Sequence, residues 1–245
     1  MNVESLAWDS GFLGVPVSRI VADGASRGEL AAAVARLQEE GTHLAYLFTD
    51  SPLPAEDAGA LHALLVDRKV TYRIEAGALP TRHPLPAVRP YEAGMPQADL
   101  ERLAVQSGKY SRFHVDPRFP DPKFVELYLL WLRKSLTREI ADEVLVATEG
   151  GAPCGLVTMA QSGGCGKIGL VAVDEAYRGR GLGRQLVEAA KGWFAARGVA
   201  FADVVTQQDN VAACGLYETC GFRVHQVQFV YHLWLATPPA AGQRG

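Results

Sequence analysis

The chain has 245 residues, enough for one large domain or two smaller ones. With 48% hydrophobic and 21% charged residues it has the make-up of a globular protein able to bury a sizeable core. Its 24 basic and 27 acidic residues leave a net charge of -3, which excludes bulk attraction to nucleic acid or an anionic membrane but leaves a local anion site open. The start, Met1 to Ser5, lacks a basic stretch followed by an apolar run, and no run of about 18 apolar residues occurs. Neither an export signal nor a spanning helix is expected, and a cytoplasmic location follows as an expectation. Cys154, Cys165, Cys214 and Cys220 form no C-x-x-C pair, and no histidine stands at zinc-finger spacing, so no metal site is expected.

In chain order, Leu30 to Gln38 is Ala-rich with helical spacing, and Gly41 supplies a stop. His43 to Phe48 reads as a strand, Asp57 to Val66 as a second helix and Val70 to Ala76 as another strand. This first piece reads as a small α/β domain over residues 1–85. Ala78 to Pro90 carries Pro80, Pro84, Pro86 and Pro90 and reads as a linker or an extended entry strand. Beyond it, residues 86–236 read as a second, larger α/β domain with a mixed sheet. Helices are expected at Gln97 to Ser107 and Pro122 to Leu136. Glu143 to Thr148 and Gly155 to Ala160 flank the turn Glu149–Pro153 and form a hairpin. Lys167 to Val173 is the next strand, followed by a glycine-rich turn and a helix. A strand at Ala200 to Val205, a helix at Val211 to Cys220 and a strand at Arg223 to Leu235 complete the pattern. Residues 237–245 read as a disordered tail.

The informative segment is the glycine turn Arg178-Gly179-Arg180-Gly181-Leu182-Gly183. It joins the strand Leu170-Val171-Ala172-Val173 to a helix whose apolar positions, Leu182, Leu186, Ala189, Ala190, Trp193 and Phe194, trace one face. Arg184 and Lys191 fall largely elsewhere on that helix. A helix N-terminus presents backbone N–H groups without intrahelical partners, and its dipole favours negative charge. Glycines remove the Cβ atoms that would hold a phosphate off. Arg178, Arg180 and Arg184 add charge-assisted hydrogen bonds. The turn alone is compatible with a plain tight turn. A dinucleotide fold would place its glycines after the first strand of a βαβ repeat, with an acidic residue such as Asp203 about 20 positions on. A Walker-type loop would need Gly-Lys-Ser/Thr, which is absent.

Arg178, Gly181 and Gly183 match in register the Arg/Gln-x-x-Gly-x-Gly/Ala signature of the GNAT acetyltransferases. The run from Asn210 to Phe222 resembles that superfamily's following motif, Asn-x-x-Ala-x-x-x-Tyr-x-x-x-Gly-Phe. The resemblance implies a GNAT fold, acetyl-CoA as acyl donor and N-acetyltransferase activity. It implies that the backbone of Leu170, Val171, Ala172 and Val173 meets the pantetheine arm. Arg178, Gly179, Arg180, Gly181, Leu182, Gly183 and Arg184 hold the pyrophosphate, and Asn210 and Ala213 contact the cofactor from the next loop and helix. It implies that Tyr217 protonates the leaving thiolate, since an ordinary phenol with a pKa of about 10 carries its proton at neutral pH. The general base stays open among Asp174, Glu175, Asp116, His114 and a water chain.

For the acceptor, Leu6 to Gly14, Ser111-Arg112-Phe113 and the aromatic stretch Phe124 to Trp131 resemble dTDP-fucosamine (dTDP-4-amino-4,6-dideoxygalactose) N-acetyltransferases of surface-polysaccharide biosynthesis. Leu216 departs from that group's pattern. A nucleotide-sugar acceptor would give Lys109, Arg112 and Arg118 a diphosphate to meet, and Tyr110, Phe113 and His114 a base or sugar. Lys109, Arg112 and Phe113 are the expected substrate-binding residues; an ordinary loop of mixed charge is the plain alternative. Another small amine, or a non-catalytic acyl-CoA sensor, are the other functions weighed. Neither nucleic acid nor membrane is expected as a partner, and a homodimer stays open.

Overall fold

The computed structural model describes residues 1–78 and 88–236. The expected tail at 237–245, most of the proline-rich linker and the expected domain boundary at residue 85 lie outside the described residues. The chain folds as two units, and each is assembled from separate stretches of sequence. The first comprises Met1–Lys69, Ser111–Pro120 and the described residues from Val227 onward; the second comprises Val70–Tyr110 and Asp121–Gln226.

In the first unit, β1 (Asn2–Ser5), β2 (Val17–Val21), β3 (Leu44–Thr49) and the end of β10 (Arg223–Trp234) lie side by side in that order. β1 pairs antiparallel with β2, β2 parallel with β3 and β3 antiparallel with β10, so the sheet is mixed. The first residues of β4 (Leu64–Glu75) follow next to β10. Helix α1 (Ala7–Leu13) ends at Gly14, whose φ of 74° gives the left-handed cap that glycine adopts without penalty. Helix α2 (Arg27–Glu39) begins with a capping box: Ser26 Oγ accepts from Glu29 N–H, and the Glu29 carboxylate accepts from Ser26 N–H. Its buried face, Leu30, Val34 and Leu37, joins Ile20, Leu47, Tyr231 and Leu233 in one apolar cluster.

The helix read over Asp57 to Val66 is corrected. Helix α3 covers only Ala55–Ala60, and β4 already starts at Leu64. His62, at φ 49°, turns the backbone out of the helical region, and Leu64-Leu65-Val66 is the apolar opening of a twelve-residue strand.

In the second unit the order is β4, β9 (Phe201–Gln207), β8 (Cys165–Val173), β7 (Ala152–Ser162), β6 (Glu143–Glu149), β5 (Val88–Pro90). β5 to β8 are antiparallel neighbours, whereas β8 and β9 run parallel. Helices α4 (Gln97–Ser107), α5 (Arg112–Val115, in the first unit), α6 (Asp121–Leu136), α7 (Leu182–Ala195) and α8 (Val211–Thr219) complete the chain. α7 buries Leu186, Val187, Ala190 and Phe194. Gly166 makes room for Phe194: a Cβ there would stand 2.6 Å from the ring. Burial of side chains of this size stabilises by roughly 1.5–3 kcal/mol each. Lys191, expected on the polar face, is buried instead, with Nζ donating to the Cys220 carbonyl at 2.8 Å and paired with Glu188 at 3.0 Å.

Candidate functional site

In the second unit the ladder between β8 and β9 breaks off early. β8 pairs with β9 from Cys165↔Phe201 only as far as Ile168↔Val204, although both strands continue, to Val173 and Gln207. On its other side β8 stays paired with β7 up to Val173↔Gly155. The edge Gly169–Val173 that looks towards β9 is therefore released from sheet pairing, leaving backbone polar groups for another partner. A bulge accompanies the release: between Val157↔Val171 and Met159↔Ile168, two β8 residues oppose the single residue Thr158. Leu170 N–H, taken out of the ladder there, donates to Thr158 Oγ1 at 2.8 Å. Gly169 is required beside it, because a Cβ would stand 2.6 Å from that oxygen.

The glycine turn follows. Gly179 and Gly181 have φ of 75° and 78°, and no heavy atom lies within 4 Å of where a Cβ would be at either. Gly181 is the N-cap of α7 and makes no side-chain cap hydrogen bond. The helix thus opens with uncapped N–H groups in an uncrowded turn, the local requirement for holding a pyrophosphate. Arg178, Arg180 and Arg184 are exposed around it. Arg178 Nε donates to the Val173 carbonyl at 3.3 Å, while Arg180 pairs with Glu149 at 3.2 Å and lies over the Tyr177 ring. Leu182 and Gly183 form the first helical turn.

Asn210 is the N-cap of α8, with Oδ1 accepting from Ala213 N–H at 3.3 Å. Its side-chain carbonyl is engaged in capping, and Ala213 is the residue that it caps. Tyr217 is 4% exposed, with its ring 5.9 Å from Tyr72 and 6.1 Å from Phe222. Burial pushes its phenol pKa up, so the hydroxyl holds its proton across the neutral range.

The expected acceptor residues fall in both units. Lys109 belongs to the second unit, Arg112 and Phe113 to the first. Arg112 lies over the rings of Tyr46, at 4.1 Å, and Phe113, at 4.6 Å. Arg118 stays at Asp116 and over the Trp234 ring. Asp116 itself is fully buried and accepts from His232 Nδ1 at 2.7 Å, Trp234 Nε1 at 2.8 Å and its own neighbour Arg118 N–H at 2.9 Å. Burial pushes the carboxyl up, but these hydrogen bonds outweigh it and hold it at about 2. Burial lowers the His232 imidazole to about 4 against the pull of Asp116. Asp174, another base candidate, caps the turn Glu175–Tyr177 through Ala176 N–H and is paired with Arg102, and its pKa is lowered. Both carboxylates are committed to structural contacts. Thr158, Lys69, Tyr46 and His232 escaped the sequence reading. Only Thr158 left a trace, through the glycine inside the adjacent strand, a frequent sign of a bulge.

Among the described residues, no group of three or more His, Cys, Asp or Glu side chains could hold a metal ion, and no helix is long and apolar enough to cross a membrane.

Residues 110–222 match the family model described as Acetyltransferase (GNAT) family. The chain is 26% identical over 196 residues to the spore coat polysaccharide biosynthesis protein SpsD of Bacillus subtilis, covering 74% of this chain and 65% of that protein. It is 40% identical over 52 residues to streptothricin acetyltransferase of Escherichia coli, covering 21% and 30% respectively. It thus spans less than two thirds of the length of these relatives. Its fold is similar to that of a GCN5-related N-acetyltransferase from Sphaerobacter thermophilus, with a TM-score of 0.56 and 15% identity over 96% of this chain and 76% of the other.

Proposed function

We infer that this chain, whose residues 110–222 match the acetyltransferase (GNAT) family model, is an acetyl-CoA-dependent N-acetyltransferase acting on a small-molecule amine. The observation that carries the reading is the freed edge of β8 running straight into the uncapped glycine turn of α7. An extended, amide-bearing arm ending in a pyrophosphate needs that sequence of features: unpaired strand groups first, helix N–H groups next.

Acetyl-CoA, when bound, supplies the activated acyl thioester. The backbone of Leu170, Val171, Ala172 and Val173 aligns the arm. Gly179 and Gly181 keep the approach open and Gly183 lets Leu216 pack close, the first N–H groups of α7, those of Leu182 and Gly183 among them, meet the phosphates, and Arg178, Arg180 and Arg184 add charge. Asn210 orders the start of α8 through Ala213 and so fixes the helix that carries Tyr217. Tyr217 Oη holds the proton given to the leaving sulfur, and its burial keeps that proton in place until it is needed.

The acceptor we propose is the amine of a nucleotide-linked amino sugar, which would place the protein in polysaccharide biosynthesis. Support comes from the likeness over 74% of this chain to a spore coat polysaccharide biosynthesis protein. The aromatic and cationic surroundings of Arg112 also suit a phosphate-bearing acceptor. A turnover panel tests both levels. Release of free thiol from acetyl-CoA is measured with dTDP-linked 3-amino and 4-amino sugars, a polyamine and an aminoglycoside. Turnover restricted to the sugar nucleotides is expected. Turnover with the other amines alone would remove the acceptor assignment, and coenzyme A binding without turnover of any amine would replace the enzyme with a sensor.

A further inference from the structure

β2, β3 and β10 bring Arg19, Tyr46 and His232 directly opposite one another: Arg19 pairs with Tyr46, and Tyr46 with His232. Successive partners across a sheet project to the same face, so the three form one row. Arg19 Nε and His232 Nε2 are buried with no hydrogen-bond partner, while the Tyr46 hydroxyl between them meets the Asp9 carboxylate. Most buried polar groups are satisfied, and leaving one unmade costs about 1–3 kcal/mol. Of the two, Arg19 Nε is a donor that this face can offer a ligand, whereas His232 Nε2, opposite the Nδ1–H held by Asp116, is an acceptor.

Two further cations gather by the middle of the row, at Tyr46 and its strand neighbour Phe48. Arg112 Cζ lies 4.1 Å from the centroid of the Tyr46 ring and 5.7 Å from that of Phe48. Lys69 Nζ lies 5.7 Å from the centroid of the same Phe48 ring. One half-buried aromatic face therefore carries two cations. Arg112 is held by stacking, which fixes its planar fork with little entropy left to lose on binding. Lys69 is tied at 3.2 Å to Gln228. The Lys69 ammonium is destabilised, first by burial and then by the charges of Arg112 and Arg19, with Asp67 only partly offsetting them. Like charges brought together in a partly desolvated place repel, and a bound anion relieves that repulsion.

We propose that Lys69 and Arg112, assembled over Phe48 and Tyr46, form an anion-binding site that takes the phosphate or diphosphate group of the acceptor. This rests on the reading of the chain as an acetyltransferase of a phosphate-bearing amine. It moves the phosphate contact from Lys109, where the sequence pointed, to a lysine 43 residues before Arg112 in the chain. The row beneath contributes Arg19 Nε as a donor, and the Tyr46 hydroxyl, which can turn from Asp9 to a phosphate oxygen. Asp9 stands beside Arg112 and Arg19 as the counter-charge present without ligand.

The test separates this site from the glycine turn. The 245-residue chain is saturated with coenzyme A, which fills the turn, and then titrated calorimetrically with inorganic pyrophosphate and with thymidine 5′-diphosphate. Thymidine diphosphate is expected to bind one to one, and pyrophosphate more weakly at the same place. Lys69→Gln and Arg112→Ala should each weaken binding at least ten-fold, Lys69→Arg should hold it within about three-fold, and the surface variant Arg36→Ala should leave it unchanged. Coenzyme A affinity should be the same in all four, and thermal melting establishes that each is folded. Silence of coenzyme A-saturated wild type towards both probes overturns the proposal. So does binding that survives intact in Lys69→Gln and Arg112→Ala. Failure of coenzyme A itself to bind would strike the acetyltransferase reading instead, and the same variants titrated without it would still decide the anion site.

Discussion

The hydroxyl of Thr158 takes the backbone N–H of Leu170 at 2.8 Å, one strand away and 12 residues earlier in the chain. That bond closes the bulge at which β8 leaves regular pairing with β7, next to the stretch where β8 parts from β9. Thr158→Val keeps the shape and removes the acceptor, leaving a buried N–H unsatisfied. A loss of about 1–3 kcal/mol in urea unfolding is expected. Acetyl-CoA KM should rise with it, since the freed edge of β8 begins there. Unchanged stability and KM would mean that the bulge holds itself without the hydroxyl.

Tyr217→Phe should lower kcat by roughly 10²–10⁴, the range of general acid catalysis, while coenzyme A affinity stays within about two-fold. Calorimetry for binding and thiol release for turnover separate the two. Equal loss of binding and turnover would assign Tyr217 to packing against Tyr72 and Phe222.

Gly181→Ala puts a side chain where φ is 78°, at a cost of about 1–2 kcal/mol. The open space around the position means that strain, not collision, is the cause. Acetyl-CoA KM should rise about ten-fold with little effect on acceptor KM. An equal effect on both substrates would argue that the turn does more than hold the donor.

The Asp116–His232 contact makes stability depend on pH with a definite sign. The folded imidazole titrates at about 4, below its unfolded value of 6.5, so the unfolded chain takes up the proton first. Stability from this group is present above pH 6.5 and drains away as pH falls towards 4. Asp116 adds a second loss lower down, between 3.8 and about 2. Urea unfolding across pH 4–7 should show a midpoint that drops on acidification. His232→Phe should lose about 2–3 kcal/mol at pH 7 through the missing Nδ1–H bond to a buried carboxylate, and its slope between pH 4 and 6.5 should flatten. A slope as steep as that of the wild type would place the titration elsewhere.

Local signals carried well. α4 spans Gln97–Ser107, the bounds that its apolar spacing predicts, and the glycine turn is legible because glycine alone combines φ above zero at no penalty with a backbone bare of side chain. Lys191 was not legible: a lysine reads as surface until the Cys220 carbonyl, on the far side of α8, is known to meet it. Nor could the sequence show that Arg112 stacks on Tyr46, or that His232 reaches Asp116, because α5 and its C-cap meet strands more than 60 and 100 residues away in the chain. The helix read through Leu64 to Val66 failed because a short apolar run fits either period, and a left-handed His62 decided it.

The chain passes between the two units at Lys69, Tyr110, Pro120 and Gln226, and its last described strand completes the unit in which it began. Phe229 to Trp234 pair residue for residue with Leu44 to Thr49. A fragment starting after Lys69 would keep the glycine turn and Tyr217, yet would expose that six-residue ladder, with Val230, Tyr231 and Leu233 stripped of cover. Such an edge recruits other chains. Dissecting this protein by simple truncation would therefore yield aggregates, whereas grafting or permutation that keeps β3 beside β10 would not.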